Sequence, residues 1–375
     1  MVGPIMNKKM VRQSKELRKI GKRAKKRFQG AKGRYPKGRI QKVVELREYD
    51  SFLDFVGGKG KALGRNANYE NLIELTNALN LFGMSGSGDC VATKLAAIQE
   101  VSTKEKYLII NAVECEPGLL TDEWLLNHQW ESICQGIKVL TDWLSFHRVI
   151  LASKLNLDGK KQSDSFEVVQ VPNQYPMGEE HILIHQVLGL EILAKTYPTE
   201  QGILVMNVQT ILSIGQAMLG QYIEKSKYIT VANLKTGQAA IARVKIGMSI
   251  EGIANKAFPN VSQEILYTGG GIMYATIATN DMRVDEHTGF IAFGEKTPFL
   301  EDSKCKRCGA CSKKCPMGVE VYQVVRAYEK NQKVDLLACH MEQCIECGNC
   351  TYVCPANRNN MNFLQRRKAE LYAKA

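Results

Sequence analysis

The apolar and polar positions change rhythm along the chain, and each rhythm predicts a different kind of structure. Residues 69–80 repeat at helical spacing, and a second helix is predicted near 91–100. "KYLIINAV" (106–113) is a nearly unbroken apolar run of strand length, followed by the loop "ECEPG". Helical spacing returns near 120–145, then two strands follow, "RVILAS" and "FEVVQV". "QYPMGEEHILIHQVLG" reads as a loop opening a helix, and "ILVMNVQT" as a strand running into the helix "ILSIGQAML". Buried-strand runs alternating with helices predict α/β layers around a mostly parallel sheet. From about 226 to 296 the segments shorten ("YITVANL", "AAIARVKIG", "ILYTGGGIM", "GFIAFG"), which predicts a small β-rich α+β module. Past 300 cysteines dominate, and a charged helix closes the chain. Residues 1–42 hold almost no core-forming content, although Met6, Met10, Leu17, Ile20, Ala24 and Phe28 approximate one helical face.

Composition changes this picture in one place. The 375 residues, 45% hydrophobic and 23% charged, suit two or three ordinary globular domains. No apolar run approaches the roughly 18–20 residues of a membrane span, and no secretory signal pattern is present, so a cytoplasmic protein without a transmembrane segment is expected. The net charge of +12 belongs to the N-terminal arm: residues 1–42 carry 16 Lys/Arg and one acid, leaving 34 basic and 37 acidic residues elsewhere. Three roles suit such an arm. It is a solvated extension, or a basic amphipathic helix docking an acidic partner or an anionic membrane surface, or a nucleic-acid binder. The last is disfavoured, because only Phe28 and Tyr35 offer stacking.

Eight of the 12 cysteines fall in two runs, "CKRCGACSKKCP" (305–316) and "CIECGNCTYVCP" (344–355). Each is C-x2-C-x2-C-x3-C-P, the bacterial ferredoxin spacing for a [4Fe–4S] cluster, in which the fourth cysteine of each run ligates the other cluster. This pattern assigns Cys305, Cys308, Cys311 and Cys354 to one cluster, and Cys344, Cys347, Cys350 and Cys315 to the second. Three thiolates on a tight loop grip three corners of a cube, and the fourth ties the halves together. Gly309 and Gly348 let the backbone turn closely, and Pro316 and Pro355 redirect it. A pair of zinc sites is the competing reading; two complete runs with both prolines argue against it. Cys339 reads as a bystander thiol rather than a spare ligand, Cys134 as part of the core, and Cys90 and Cys115 as packed rather than reactive thiols near the second candidate site.

That site centres on "LFGMSGSGDCVATKL" (81–95), where Gly83, Gly86 and Gly88 precede a helix. Such a loop exposes backbone N–H groups to a phosphate, with Lys94 adding charge; the alternative is a surface turn with a helix cap. "NAVECEP" puts Asn111, Glu114 and Glu116 on a loop just after a strand, where ligands of open α/β sheets gather. "YPMGEE" adds Gly178, Glu179 and Glu180, and "NVQT" adds Asn207 and Thr210, each at a helix start. Singly these are caps or solvated turns. Together they suit a phosphorylated, polyhydroxylated cofactor.

These motifs resemble the C subunit of the Rnf electron-transport complex and, more distantly, the flavin-bearing 51-kDa-type subunit of respiratory NADH dehydrogenase. "GMSGSGDCVATKL" is similar to the family's flavin loop GxGGAGFPTxxKL, "LIINAVECEP" to LIINGAECEP, "YPMGEE" to YPxGGEK, and "VMNVQT" to VxNVxT. "YTGGGIM" and "TGFIAF" resemble the close of the family's small β-grasp, SLBB-like module. The resemblance spans roughly residues 80–358 and implies FMN. Gly83, Gly86, Gly88 and Lys94 would hold its phosphate end. Asn111, Glu114, Gly178, Glu179, Asn207 and Thr210 would line its ribityl chain and ring, with Glu116 and Glu180 nearest a nicotinamide nucleotide. Asp89 and Cys90 stand where the family has Phe and Pro. An aspartate offers no stacking face and repels a diphosphate, which weakens the implied NADH site more than the FMN site. Ser85 and Ser87 replace small residues.

The resulting fold class is an α/β flavin-binding domain, a small α+β module of β-grasp type, and an α-helical ferredoxin-type domain with two [4Fe–4S] clusters. The expected boundaries are 1–45 for the arm, 46–225 for the FMN domain, 226–297 for the β-grasp module, and 298–375 for the dicluster domain with its C-terminal helix. The implied function is electron transfer from a reduced donor such as NADH, through FMN and the clusters, to a redox partner protein. That partner is either a redox enzyme or a membrane-associated complex, with the chain peripheral to the membrane's inner face. The competing function is an iron–sulfur relay or scaffold without nucleotide binding.

Overall fold

The computed structural model describes residues 51–57, 72–84, 88–102, 105–114, 116–158, 165–192, 196–259, 265–294 and 304–372. The basic arm, Ser85, Gly86, Ser87 and Cys115 lie outside these. The described residues fall into two compact units, one within Val43–Lys296 and one within Thr297–Ala375.

The first unit opens with β1 (Ser51–Asp54) and α1 (Leu72–Ala78). The glycine-rich segment then leads into α2 (Val91–Glu100). The apolar runs form β2 (Tyr107–Ala112), β3 (Arg148–Ser153), β4 (Glu167–Gln170) and β5 (Ile203–Asn207). These make a four-stranded, wholly parallel sheet in the order β4-β3-β2-β5. Parallel strands are covered on both faces, and so Leu108, Ile109 and Ile110 of β2 are all buried. The helices predicted near 120–145 are α3 (Thr121–His128) and α4 (Trp130–Trp143), separated at Gln129. α5 (Glu180–Leu188) follows the predicted loop, and α6 (Val208–Met218) runs directly on from β5 as predicted. α4 and α6 meet backbone to backbone. A Cβ on Gly136 would lie 2.1 Å from the Ile211 carbonyl oxygen, and one on Gly215 would lie 1.8 Å from that of Ser132.

The shortened segments form β6 (Ser226–Asn233), β7 (Ala239–Lys245), α7 (Ile250–Ala257), β8 (Ile265–Gly269), β9 (Thr276–Ile277) and β10 (Phe290–Gly294). Their mixed sheet runs β1-β7-β6-β10-β8-β9, with β6 and β7 antiparallel and β10 parallel to β6. Alternation along β6 separates its two faces. Ile229 and Val231 pack with Ile250, Ile253 and Ala254 of α7, while Tyr228 and Ala232 join the core beneath the parallel sheet. Thr230, between them, accepts the Leu120 N–H at 3.0 Å and ties the mixed sheet to α3. β1 was expected in the α/β domain but pairs instead with the open edge of β7, where Phe52 stacks on Trp124 at 4.7 Å. A strand of four residues cannot signal which distant edge it will complete.

The second unit is helical among its described residues: α8 (Ala310–Lys313), α9 (Val321–Glu329), α10 (Asn349–Tyr352) and α11 (Asn360–Tyr372). Its core is small, built from Val319, Val321, Val324, Val325, Met341 and Leu364, with Cys339 and Cys350 among them. Among the described residues no helix is long and apolar enough to cross a membrane.

Candidate functional site

The two cysteine runs fold alike. In each, the residue before the second cysteine (Arg307, φ 58°; Glu346, φ 55°) and the glycine after it (Gly309, φ 69°; Gly348, φ 73°) are left-handed. A four-residue helical turn follows. The sequence anticipates the glycines; the strained Arg307 and Glu346 carry no sequence mark. This curl turns the cysteines inward. Cys305, Cys308, Cys311 and Cys354 line one cavity. Cys315, Cys344, Cys347 and Cys350 line a second. Each cavity takes three cysteines from one run and one from the other. The halves are also tied directly: Asn349 Nδ2 donates to the Lys314 carbonyl at 2.7 Å, and Lys306 Nζ to that of Pro355 at 3.2 Å.

The donor chemistry of these cavities fits an iron–sulfur group. Among the described residues no three His, Cys, Asp or Glu side chains converge on a single-ion site; the thiols instead surround a space. Burial pushes the Cys311 and Cys315 thiols up to about 11 and Cys347 up to about 12. Such thiols ionise only opposite compensating positive charge, which cluster iron supplies. Cys339, the expected bystander, is buried beside them and directs its thiol at Gln323 Oε1, 3.8 Å away. Cys134 is half-buried on α4, and burial raises its thiol.

The second site gathers at the C-terminal ends of β2 and β5. Asn111, expected on the loop, is the penultimate residue of β2. Nδ2 donates to the Gly178 carbonyl at 2.8 Å and Oδ1 accepts the Val113 N–H at 3.0 Å. Asn207 caps α6, accepting the Gln209 N–H at 2.9 Å, and donates to the Asn111 carbonyl at 3.2 Å and to Asp122 Oδ2 at 3.0 Å. Glu114 accepts the Asp122 N–H at 3.0 Å. Glu114 and Asp122 are both buried, and burial raises both carboxyls, with their mutual repulsion adding to the rise at Asp122. Burial likewise pushes Glu116 up to about 8, although it accepts the Met273 N–H at 2.6 Å. Its side chain occupies the space a Cβ on Gly271 would need.

The remaining expected residues hold the frame. Glu179 caps α5 through the Ile182 N–H at 3.1 Å and also meets His181 Nδ1 at 2.9 Å. The hydrogen bond to Glu179 raises the His181 pKa. Lys94, expected at a phosphate, instead reaches Glu180 Oε1 at 3.1 Å and the Val205 carbonyl at 3.0 Å, joining α2 to α5 and β5. Thr210 accepts the Met84 N–H at 3.1 Å from within the core. Gly83 donates to the Asp89 carbonyl at 2.7 Å, and Gly88 to that of Gly83 at 3.2 Å, so the glycine loop is partly closed on itself. Gly86 lies outside the described residues. α2 has no side-chain cap; the exposed Cys90 sits at its start, its thiol lowered chiefly by the Thr93 backbone N–H. Asp89 is exposed beside it.

Three participants escaped the sequence reading. Asp122 looked like an ordinary acid in the first turn of a helix. Lys227, on β6, is almost fully buried; its Nζ donates to the Glu286 carbonyl at 2.7 Å and lies 5.9 Å from the Phe82 ring, and burial lowers its pKa to about 8. His287 packs against the loop: a Cβ on Gly88 (φ 67°) would lie 2.7 Å from His287 Cε1. A lysine inside a strand is a signal that could have been noticed; His287 left none. This set of amides, buried carboxyls and an uncapped helix start fits a polyhydroxylated phosphate ester such as FMN.

Comparison with known proteins agrees. Residues 76–216 match the Nuo51 FMN-binding domain, and residues 304–358 the 4Fe-4S dicluster domain. The C subunit of the ion-translocating oxidoreductase complex of Rhodobacter capsulatus is 29% identical over 277 residues, 69% of this chain and 52% of that protein. Its counterpart from Haemophilus influenzae (strain PittEE) is 26% identical over 263 residues, 67% of this chain and 40% of that protein. The chain thus spans about half or less of these relatives. Cobalamin reductase PduS of Citrobacter freundii is 28% identical over 333 residues, 81% of this chain and 72% of that protein. The NAD+-reducing [NiFe]-hydrogenase in its air-oxidized state shares the fold, with a TM-score of 0.53 at 17% identity, covering 75% of this chain and 52% of that one. The chain is therefore similar to the C subunits of ion-translocating oxidoreductase complexes, with a segment matching the Nuo51 FMN-binding domain ahead of one matching the 4Fe-4S dicluster domain.

Proposed function

We propose that this chain is an electron-transfer subunit that accepts electrons from a reduced donor at FMN and releases them singly, through two [4Fe–4S] clusters, to a partner redox protein or complex. The observation that carries the proposal is the sorting of eight cysteines into two cavities of four, within a chain that also gathers a buried polar site at its strand ends. When bound, FMN supplies the conversion between two-electron and one-electron chemistry. Asn111, Asn207, Glu114 and Asp122 would orient its polar chain. Glu116 holds a proton near neutrality because burial disfavours its charge. Lys94 and Thr210 act at one remove, fixing α2 and the glycine loop. NADH is the donor the resemblance implies. We read 226–297 as a β-grasp module, supported by the β6–β7 hairpin, the α7 crossover and β10 lying parallel to β6. The names of these relatives favour a complex at the membrane or a cobalamin enzyme as partner, with this chain peripheral to it.

Iron, sulfide and released flavin measured on protein purified without oxygen test this reading. About eight iron atoms and one flavin are expected from two clusters and one FMN. Anaerobic NADH should then bleach the flavin and reduce the clusters. Iron without flavin, even after soaking in excess FMN, would leave only a relay. The double variant Asp89→Phe/Cys90→Pro should raise reactivity with NADH by about tenfold, since it restores a stacking face and removes a charge near the diphosphate. Unchanged reactivity would show that these two residues do not limit the donor.

A further inference from the structure

The cysteine unit carries a groove that neither cluster occupies. It is an open cavity of about 440 Å³, lined by five cations, three aromatic rings, one carboxylate and Cys305. Lys304, Arg307, Arg326 and Lys330 are exposed. The one carboxylate, Glu329, is already paired with the buried Arg358. Among the described residues the four exposed cations have no ion-pair partner. Arg326 is held in place, donating to Tyr322 Oη at 3.2 Å with its guanidinium 6.0 Å from that ring's centre. The charge is local to this unit, since residues 304–372 carry 12 Lys/Arg against six Asp/Glu. The groove also shares a wall with the first cysteine cavity, because Cys305, Tyr322 and Arg358 line both.

We propose that this groove is the docking face for an acidic electron-carrier protein, which exchanges electrons with the cluster held by Cys305, Cys308, Cys311 and Cys354. The inference rests on the cluster assignment above. The four cations come from two segments, 304–307 and 326–330, and line one wide, open groove. That arrangement matches a field of carboxylates on a protein surface better than a single small anion. Only side chains that already touch the cluster cavity separate a docked carrier from it. One electron crosses per encounter, the cluster being oxidised and the carrier reduced, with no bond made or broken.

The test uses the full-length holoprotein, with iron content and the cluster EPR signal measured first. The protein is reduced, freed of reductant and mixed with oxidised flavodoxin, an acidic acceptor, or with cytochrome c, a basic one. The second-order rate with flavodoxin should fall about tenfold or more between low and roughly 0.3 M salt. Arg326→Glu/Lys330→Glu should slow flavodoxin by about tenfold at low salt and speed cytochrome c. Lys333→Glu, an exposed charge outside the groove, should change either rate less than about twofold. The arm at 1–42 is common to all variants, so their differences isolate the groove. Iron and EPR at wild-type level with equal effects from both variants, or a salt-independent rate, would overturn the docking face alone. A protein without iron would overturn the cluster assignment and this inference together.

Discussion

The two units build their sites in opposite ways. In the cysteine unit each cavity takes three cysteines from within seven residues, and a repeated backbone curl aims them. In the flavin-type unit the contacts that shape the site join residues far apart: Met84 to Thr210 across 126 positions, and Glu116 to Met273 across 157. The first site is written locally and needs only its fourth ligand from a distance. The second exists only once two sheets have come together. A local site should therefore fail by losing its contents, and an assembled one by loosening its frame.

The largest effect is expected where the ligand count is fixed. Cys354→Ser should remove about half the iron and lower the thermal midpoint of the cysteine unit by about ten degrees or more, on the order of the stabilisation that a structural metal gives a small domain. Iron analysis and circular dichroism read this. Retention of all the iron would break the view that one distant cysteine completes each set.

Next comes the buried acid. Glu116 has a folded pKa of about 8, above its unfolded value, so the native state binds the extra proton. Stability from this group is complete below about pH 4.5 and is lost as pH rises through 8. Glu116→Gln should therefore gain on the wild type between about pH 5.5 and 8, by roughly 2–4 kcal/mol. Urea unfolding at both pH values measures this. A constant difference would mean that the carboxylate is solvated or paired.

Gly215→Ala sharpens the comparison from outside the site. Its methyl would meet the Ser132 carbonyl and push α4 and α6 apart, costing about 1–3 kcal/mol and weakening flavin binding without touching it. The smallest effect is expected from Thr210→Val, which leaves the buried Met84 N–H without its acceptor. A loss of about 1–2 kcal/mol and a severalfold weaker flavin affinity should follow. Fluorescence titration with FMN reads both variants. If affinity held while stability fell, the glycine loop would be independent of its support.

Much of the architecture was legible because periodicity survives in the sequence. The strands at 106–113 and 203–207 announce themselves as apolar runs, and both runs of four cysteines are visible at a glance. The glycine loop was legible as a loop, but not that its N–H groups turn partly inward, or that Lys94 answers Glu180 rather than standing free. Asp122 was invisible, since its burial depends on Asn207 and Glu114 arriving from other strands and loops. β1 was misplaced for a similar reason: its partner, β7, lies almost 190 residues away.

The sequence by itself determined what depends on short-range covalent spacing: the cysteine registers, the helix and strand periods, and the separation of a basic arm from a slightly acidic body. The tertiary structure alone decided which carboxyls are stripped of water and which lysine is buried. Burial and charge pairing are properties of neighbours brought together by folding, and no local pattern carries them.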